Sequence, residues 1–234
     1  MLETSDPEFK YKRSAPEDMS TKGQETKLRI LRAAADLFHK RGIRATSPDE
    51  VIEASGTGKG QFYHYFKNKD GLIHEVLVWH VNAIKSGTAP INYEIDSWED
   101  LEDWFRAHIE LQKNFGMTRG CPFGTAANEV TEEDELIRQD LNLIFEIIES
   151  RLRTFLAAEK ARGRLSPDAS EQRLAGFCVA TIQGAMLLGK VKRDSAFVEA
   201  VVQYALAHLN RYRLQPRETS ETRSLSGFRA SSAG

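Results

Sequence analysis

The chain has 234 residues, 41% of them hydrophobic, enough to bury a sizeable core in one compact domain or in a small domain fused to a larger one. No apolar run approaches the roughly 18 residues that span a bilayer, and the N-terminus MLETSDPEFKYKRS is too polar for a secretory signal, so a membrane partner is not expected and the cytoplasm is. Two cysteines, Cys121 and Cys178, form neither a disulfide framework nor a metal-ligand spacing, and no cofactor is implied.

The net charge of −2 is unevenly spread. Residues 22 to 85 hold 11 Lys+Arg against 7 Asp+Glu, a balance of +4, while residues 86 to 234 carry −4. The basic bias falls on the N-terminal part, where a polyanion would bind.

Residues 1 to 21, with Pro7, Pro16 and mixed charge, read as a disordered arm, and its Lys10, Lys12 and Arg13 as a solvated cluster. From Thr26 the pattern turns helical. Leu28, Leu31, Ala35 and Phe38 recur at intervals of three and four, Ile30, Ala34 and Leu37 widen the stripe, and Gly42 stands at the stop.

Ser47, Pro48 and Glu50 then make a strong helix start: a capping hydroxyl, a proline whose missing N–H costs nothing at the first helical position, and a reciprocal carboxylate. Val51, Ile52 and Ala54 face inward, and Ser55-Gly56-Thr57-Gly58 permits a sharp reversal. On the next helix, from about Lys59, Phe62 and Phe66 lie one turn apart and pack inward. Lys59, Gln61, Tyr63 and His64 are left outward, a set that suits a groove of base acceptors flanked by phosphates; Tyr65 reads as packing.

These residues carry a resemblance. The run RGIRATSPDEVIEASGTGKGQFYHYFKNKDGL resembles the signature of the TetR family of bacterial transcriptional repressors, closely over residues 24 to 80 and beyond that only in helical layout. The resemblance implies an all-α protein: a three-helix helix-turn-helix domain over 22–68 and a larger helical effector-binding and dimerisation domain over 69–213; the tail over 214–234, with Pro216 and many Ser, Thr and Gly residues, reads as disordered from its composition. It also implies double-stranded operator DNA, a small-molecule effector and a second copy of the chain as partners. Where the family has a serine or threonine opening the recognition helix, this chain has Gly58, so a hydroxyl-to-phosphate contact is not expected there.

Further along, Asn68 caps a helix through Leu72, Ile73, Val76, Leu77, Trp79 and His80, and Lys69 with the first-turn N–H groups makes an anion site. Ser97-Trp98-Glu99-Asp100 opens an aromatic-rich helix ending at Gly116. After a loop at 118–124 come a short helical piece near Ala126 to Val130 and the longest helix, about Glu133 to Lys160. Pro167-Asp168 opens a helix to about Leu188, on which Gly176, Ala180 and Gly184 fall four apart, and a last helix runs from Ser195 to about Tyr212. That last helix is apolar all round, which predicts burial against a second copy.

Lys59, Gln61 and His64 are assigned to base edges or nearby phosphates, and Thr46, Ser47, Tyr63 and Lys69 to the DNA backbone. Trp79, Trp104, Phe105, His108, Phe123, Phe145, Phe177 and Gln183 are assigned to an effector cavity, since a mostly apolar pocket with few polar groups is how small-molecule sites are built. The dimer interface is assigned to Gly176, Ala180, Gly184, Val198, Val202 and Ala205. An alternative is a regulator of the same type that senses electrophiles or oxidants through a low-pKa thiolate at Cys121, beside Arg119. An enzyme is not expected, because the six histidines are scattered and GTGKG lacks the spacing of a phosphate-binding loop; a helical adaptor without DNA is the alternative of another class.

Overall fold

A computed structural model describes residues 21–214; the predicted arm and tail fall outside the described residues, but for Thr21 and Leu214 at their edges. Within this span lie nine α-helices: α1 (Thr21–Arg41), α2 (Pro48–Ser55), α3 (Lys59–Phe66), α4 (Lys69–Lys85), α5 (Trp98–Asn114), α6 (Pro122–Ala127), α7 (Glu135–Ala161), α8 (Glu171–Lys192) and α9 (Ser195–Asn210). The all-helical class holds, with one isolated antiparallel bridge, Leu165 to Arg213, as the β-type pairing among them.

The starts of the helices are local chemistry. Ser47 and Glu50 form the reciprocal capping box of α2, while the side chains of Asn68, Ser97, Ser170 and Asp194 accept first-turn N–H groups of α4, α5, α8 and α9. Three boundaries differ from expectation. α1 is already helical at Thr21, the first described residue, ahead of the expected Thr26, in a polar turn that has no apolar stripe to reveal it and where Thr26 Oγ1 donates to the Lys22 carbonyl at 2.9 Å. α6 begins earlier than expected, with Pro122 at its first position. α8 begins later than Pro167, because Leu165 is buried and paired with Arg213 and the chain stays irregular until the Ser170 cap.

In the N-terminal unit α1 packs on α2 and α4, and α3 packs on α4. Ile30, Ala34, Val51 and Phe62 are fully buried and Phe66 and Leu72 nearly so; each such large apolar side chain contributes roughly 1.5–3 kcal/mol by leaving water. α4 then runs into the larger body and packs along α7. There α7, α8 and α9 lie side by side, with α5 across α8 and α9. By length and mean hydropathy alone α8 is apolar enough to cross a membrane; Leu174, Cys178, Ile182, Ala185 and Met186 turn that apolarity into core.

At the end of α7 the buried Glu159 carboxylate accepts from Trp98 Nε1 (2.9 Å), Arg164 Nε (3.0 Å) and an Arg162 nitrogen (3.2 Å). Arg164, before the other two, holds that carboxyl below its ordinary value. The last described residue is pinned beside it, Leu214 N–H donating to the Arg164 carbonyl at 2.9 Å.

Candidate nucleic-acid interface and effector site

The reversal before α3 depends on Gly56, whose φ of 60° is left-handed and whose N–H reaches the Ile52 and Glu53 carbonyls. Gly58 opens α3 with no side chain to cap it, and Gln61 Oε1 accepts the Gly58 N–H instead at 3.3 Å. Phe62 and Phe66 anchor the inner face, 0% and 2% exposed. The outer face shows Lys59, Gln61, Tyr63, His64 and Lys67 to solvent.

Of the predicted DNA-facing residues, Ser47, Lys59, Gln61, Tyr63 and His64 are exposed and Lys69 is partly exposed. Lys59 Nζ lies 3.0 Å from Asp49, whose hydrogen bond and charge raise its pKa. Ser47 is exposed, but its hydroxyl donates to Glu50 Oε2 at 2.9 Å. Lys69 Nζ donates to the Arg44 carbonyl at 2.9 Å, and burial, then the Arg44 charge, lower its pKa. Thr46 is a correction: it is 1% exposed, with Oγ1 donating to the Gly42 carbonyl at 2.8 Å, so its hydroxyl fastens the α1–α2 turn and is not presented to DNA.

The expected effector residues divide among four places. Trp104, 2% exposed, meets Phe105 and His108 edge-on at centroid distances of 4.8 and 4.7 Å, and Tyr93 lies 6.3 Å from His108. His108 Nδ1–H donates to the Trp104 carbonyl, and burial drops its pKa to about 4, so the ring is neutral. Trp104 Nε1 is buried without a partner, which is costly unless something polar reaches it. Phe123 sits between His80 (5.2 Å) and Phe145 (6.5 Å), and the Gln183 carboxamide presses on α6 so closely that a Cβ at Gly124 would lie 2.6 Å from its Oε1.

Trp79 and Phe177 stand apart from that interior. Trp79 borders an open cleft of about 440 Å³ with Asn82, Lys85 and Thr88, and Phe177 is half-buried beside His208 of α9 at 4.9 Å. A second hollow, of about 20 Å³ and so large enough for one water, lies between α1, α4 and α6 and is lined by His39, His80 and Phe123 among others. Burial drops the pKa of His80 to about 4 as well.

Two further expectations are corrected. Cys121 is not an accessible thiolate: it is 7% exposed, burial pushes its thiol up, and Arg119 is turned away, bonded to Asp36 at 2.7 Å and stacked on Phe115. Cys178 is pushed up to about 12 by burial. Of the six interface residues, Val198, Val202 and Ala205 are core within the single chain, at 0%, 5% and 2% exposure. Ala180 and Gly184 are exposed, and Gly176 half-exposed against Glu149. The apolar residues standing outward beside them are Leu187, Leu188, Val191 and Tyr204, none of which periodicity alone picks out.

A bared reading helix on a three-helix unit, joined through α4 to a larger helical body, defines a helix-turn-helix transcriptional regulator. The family profile described as bacterial regulatory proteins, tetR family, matches residues 30–76, and that of the tetracyclin repressor-like C-terminal domain matches residues 98–205. The chain belongs to the TetR family. It is 28% identical over 184 residues to an uncharacterized HTH-type transcriptional regulator in the lacX 3′ region of Lactococcus lactis, covering 76% of this chain and 89% of that one. It is also 28% identical over 174 residues to the HTH-type transcriptional repressor ComR of Escherichia coli, covering 74% and 81%. A solved TetR-family regulator from Agrobacterium tumefaciens shares the fold with a TM-score of 0.70 at 21% identity, over 80% of this chain and 98% of that one.

Proposed function

We propose that this regulator is a repressor that binds a pseudo-palindromic operator as a homodimer and is released by a small-molecule effector. The observation that carries the DNA reading is the split of α3: two buried phenylalanines hold it, and Lys59, Gln61, Tyr63 and His64 stand outward in solvent. Lys59, Gln61 and His64 are proposed for base edges and nearby phosphates, and Ser47, Tyr63 and Lys69 for the backbone. Lys69 keeps two ammonium protons beyond the one given to Arg44, and Gln61 keeps its amide N–H groups. The second copy is proposed to dock on the outward apolar residues of α8 and α9, where Val191 is 73% and Tyr204 80% exposed.

The effector is proposed to lodge around Trp104, His108 and Phe123, where an orphaned indole N–H and a neutral imidazole offer one donor and one acceptor in an apolar setting. Its binding acts only through a difference in affinity between the operator-competent state and the released one. Selection of bound sequences from random duplexes tests the DNA reading: two inverted half-sites about one helical turn apart are expected, and enrichment of no sequence, or of a lone unpaired half-site, overturns it.

A further inference from the structure

The turn between α1 and α2 is gripped by a loop that lies some 85 residues further on. Arg44 donates its backbone N–H to Glu129 Oε2 at 2.6 Å and its Nε–H to the Glu129 carbonyl at 3.4 Å. Its guanidinium also pairs with the Asp134 carboxylate ahead of α7, and its own carbonyl takes Lys69 at the start of α4. Gly42, in the same turn, has a φ of +91°, and a Cβ built there would fall 1.8 Å from Glu129 Oε1. The carboxylate therefore fills the space that a side chain at 42 would need. Three residues beyond Arg44, Ser47 caps α2, so the turn that Glu129 holds is the lead-in to the helix-turn-helix.

We infer that Glu129 is a positioning residue for operator binding: from the larger body it fixes the α1–α2 turn, and with it the pitch at which α2 and α3 meet the groove. It touches no base. Asp134 reaches the same turn, but only through the Arg44 side chain, whereas the remaining polar bridges between the two units, His39 to the Gly120 carbonyl (2.7 Å), Arg119 to Asp36 (2.7 Å) and His74 to Asp140 (2.6 Å), reach α1 and α4 and not the turn. Glu129 is thus the group through which a shift of the α6–α7 loop is felt by the backbone of the turn, at the Arg44 N–H and at Gly42. Its charge helps to isolate that role. A carboxylate close to the Lys69 end of the DNA face repels phosphate, so on electrostatic grounds alone its removal tightens binding to every sequence.

This inference rests on the operator reading above, and the experiment separates the two. Affinities of the full-length wild type, Glu129→Ala and Glu129→Gln are measured by fluorescence anisotropy on the selected operator and on random duplex at one salt concentration, with melting followed for each. Glu129→Ala is expected to lower the operator-to-random ratio about tenfold, the equivalent of one charge-assisted hydrogen bond. Glu129→Gln keeps an acceptor for the Arg44 N–H and is expected to lower the ratio about threefold, as the change from a charged to a neutral acceptor predicts. A ratio that is unchanged or raised in Glu129→Ala overturns the inference; if that variant does not stay folded, an unchanged or raised ratio in Glu129→Gln overturns it instead. A wild type that fails to discriminate operator from random DNA refutes the operator reading.

Discussion

Thr46 and Lys59 show how far a residue's role follows from its type. A threonine before a capping serine resembles a phosphate ligand, yet Thr46 is buried with its hydroxyl on the Gly42 carbonyl. Thr46→Val is therefore expected to cost about 1–2 kcal/mol of stability, the penalty of an unmade buried hydrogen bond, while the folded protein binds operator as before. Urea denaturation beside a binding titration checks this, and a loss of affinity at unchanged stability would restore the hydroxyl to the DNA face. Lys59 shares the exposed surface with Asp49 at 3.0 Å, a pairing of little worth to stability. Asp49→Asn removes a phosphate-repelling charge and frees the lysine. It should tighten binding to all sequences and steepen the salt dependence by about one unit; a shallower slope in a salt titration contradicts it. The outward residues of α3 were legible because Phe62 and Phe66, one turn apart, fix which side is in. Thr46 was not, because its burial depends on how an irregular turn folds back.

Helix faces are a mixed case at the scale of elements. Caps were readable for α2, α4 and α5, since Ser47, Asn68 and Ser97 act on N–H groups three residues away, but not for α8, which Ser170 opens in place of the expected Pro167-Asp168. The α9 residues expected at an interface, Val198, Val202 and Ala205, are core within the single chain. Val198, Val202, Ala205 and Leu209 form one stripe, and it faces inward. Phe197, Val201, Tyr204 and His208 form the neighbouring stripe, about 100° around the helix, where Phe197 and Val201 still pack partly against the core and Tyr204 is exposed. Periodicity reports that two apolar stripes exist; only packing against α5 and α8 decides which is spent within the chain. Tyr204→Glu and Val191→Asp are accordingly expected to give folded monomers with weak operator binding, whereas Val202→Glu, which buries an unpaired charge, is expected to abolish folding. Light scattering and circular dichroism distinguish the three, and a dimeric Tyr204→Glu/Val191→Asp double variant removes this face from the interface.

For the whole molecule, buried histidines set the response to acid. His80 and His108 are neutral in the fold with pKa values of about 4, lowered by burial from 6.5. The unfolded chain binds protons at these positions first, so their stabilising contribution, complete above about pH 6.5, is lost as pH falls from 6.5 towards 4. At pH 5.5 each costs roughly 1–1.5 kcal/mol. His74 works in the other direction. Its bond to Asp140, ahead of the opposing effect of burial, raises its pKa, so its contribution is full below 6.5 and fades as pH rises through the raised value. Two deeply lowered groups outweigh one raised group, and stability is expected to fall between pH 7.5 and 5.5. His108→Gln should flatten that fall by about half. Urea midpoints at the two pH values test this; a wild type equally stable at both, or more stable in acid, disproves it. None of this could be read from six scattered histidines, because burial of a ring is settled by distant elements.

The length of α7 has a practical consequence. Its N-terminal end follows directly on Asp134, which pairs with the lead-in to the reading helices, and its far end carries Glu159, beside which the described chain finishes. With 27 residues at about 1.5 Å each, the helix separates those points by roughly 40 Å. A dye attached at Leu214, whose N–H is held by the Arg164 carbonyl, therefore sits about one helix length from the Arg44 turn. That separation is short enough for energy transfer from such a dye to a labelled duplex to report arrival and departure of DNA one molecule at a time.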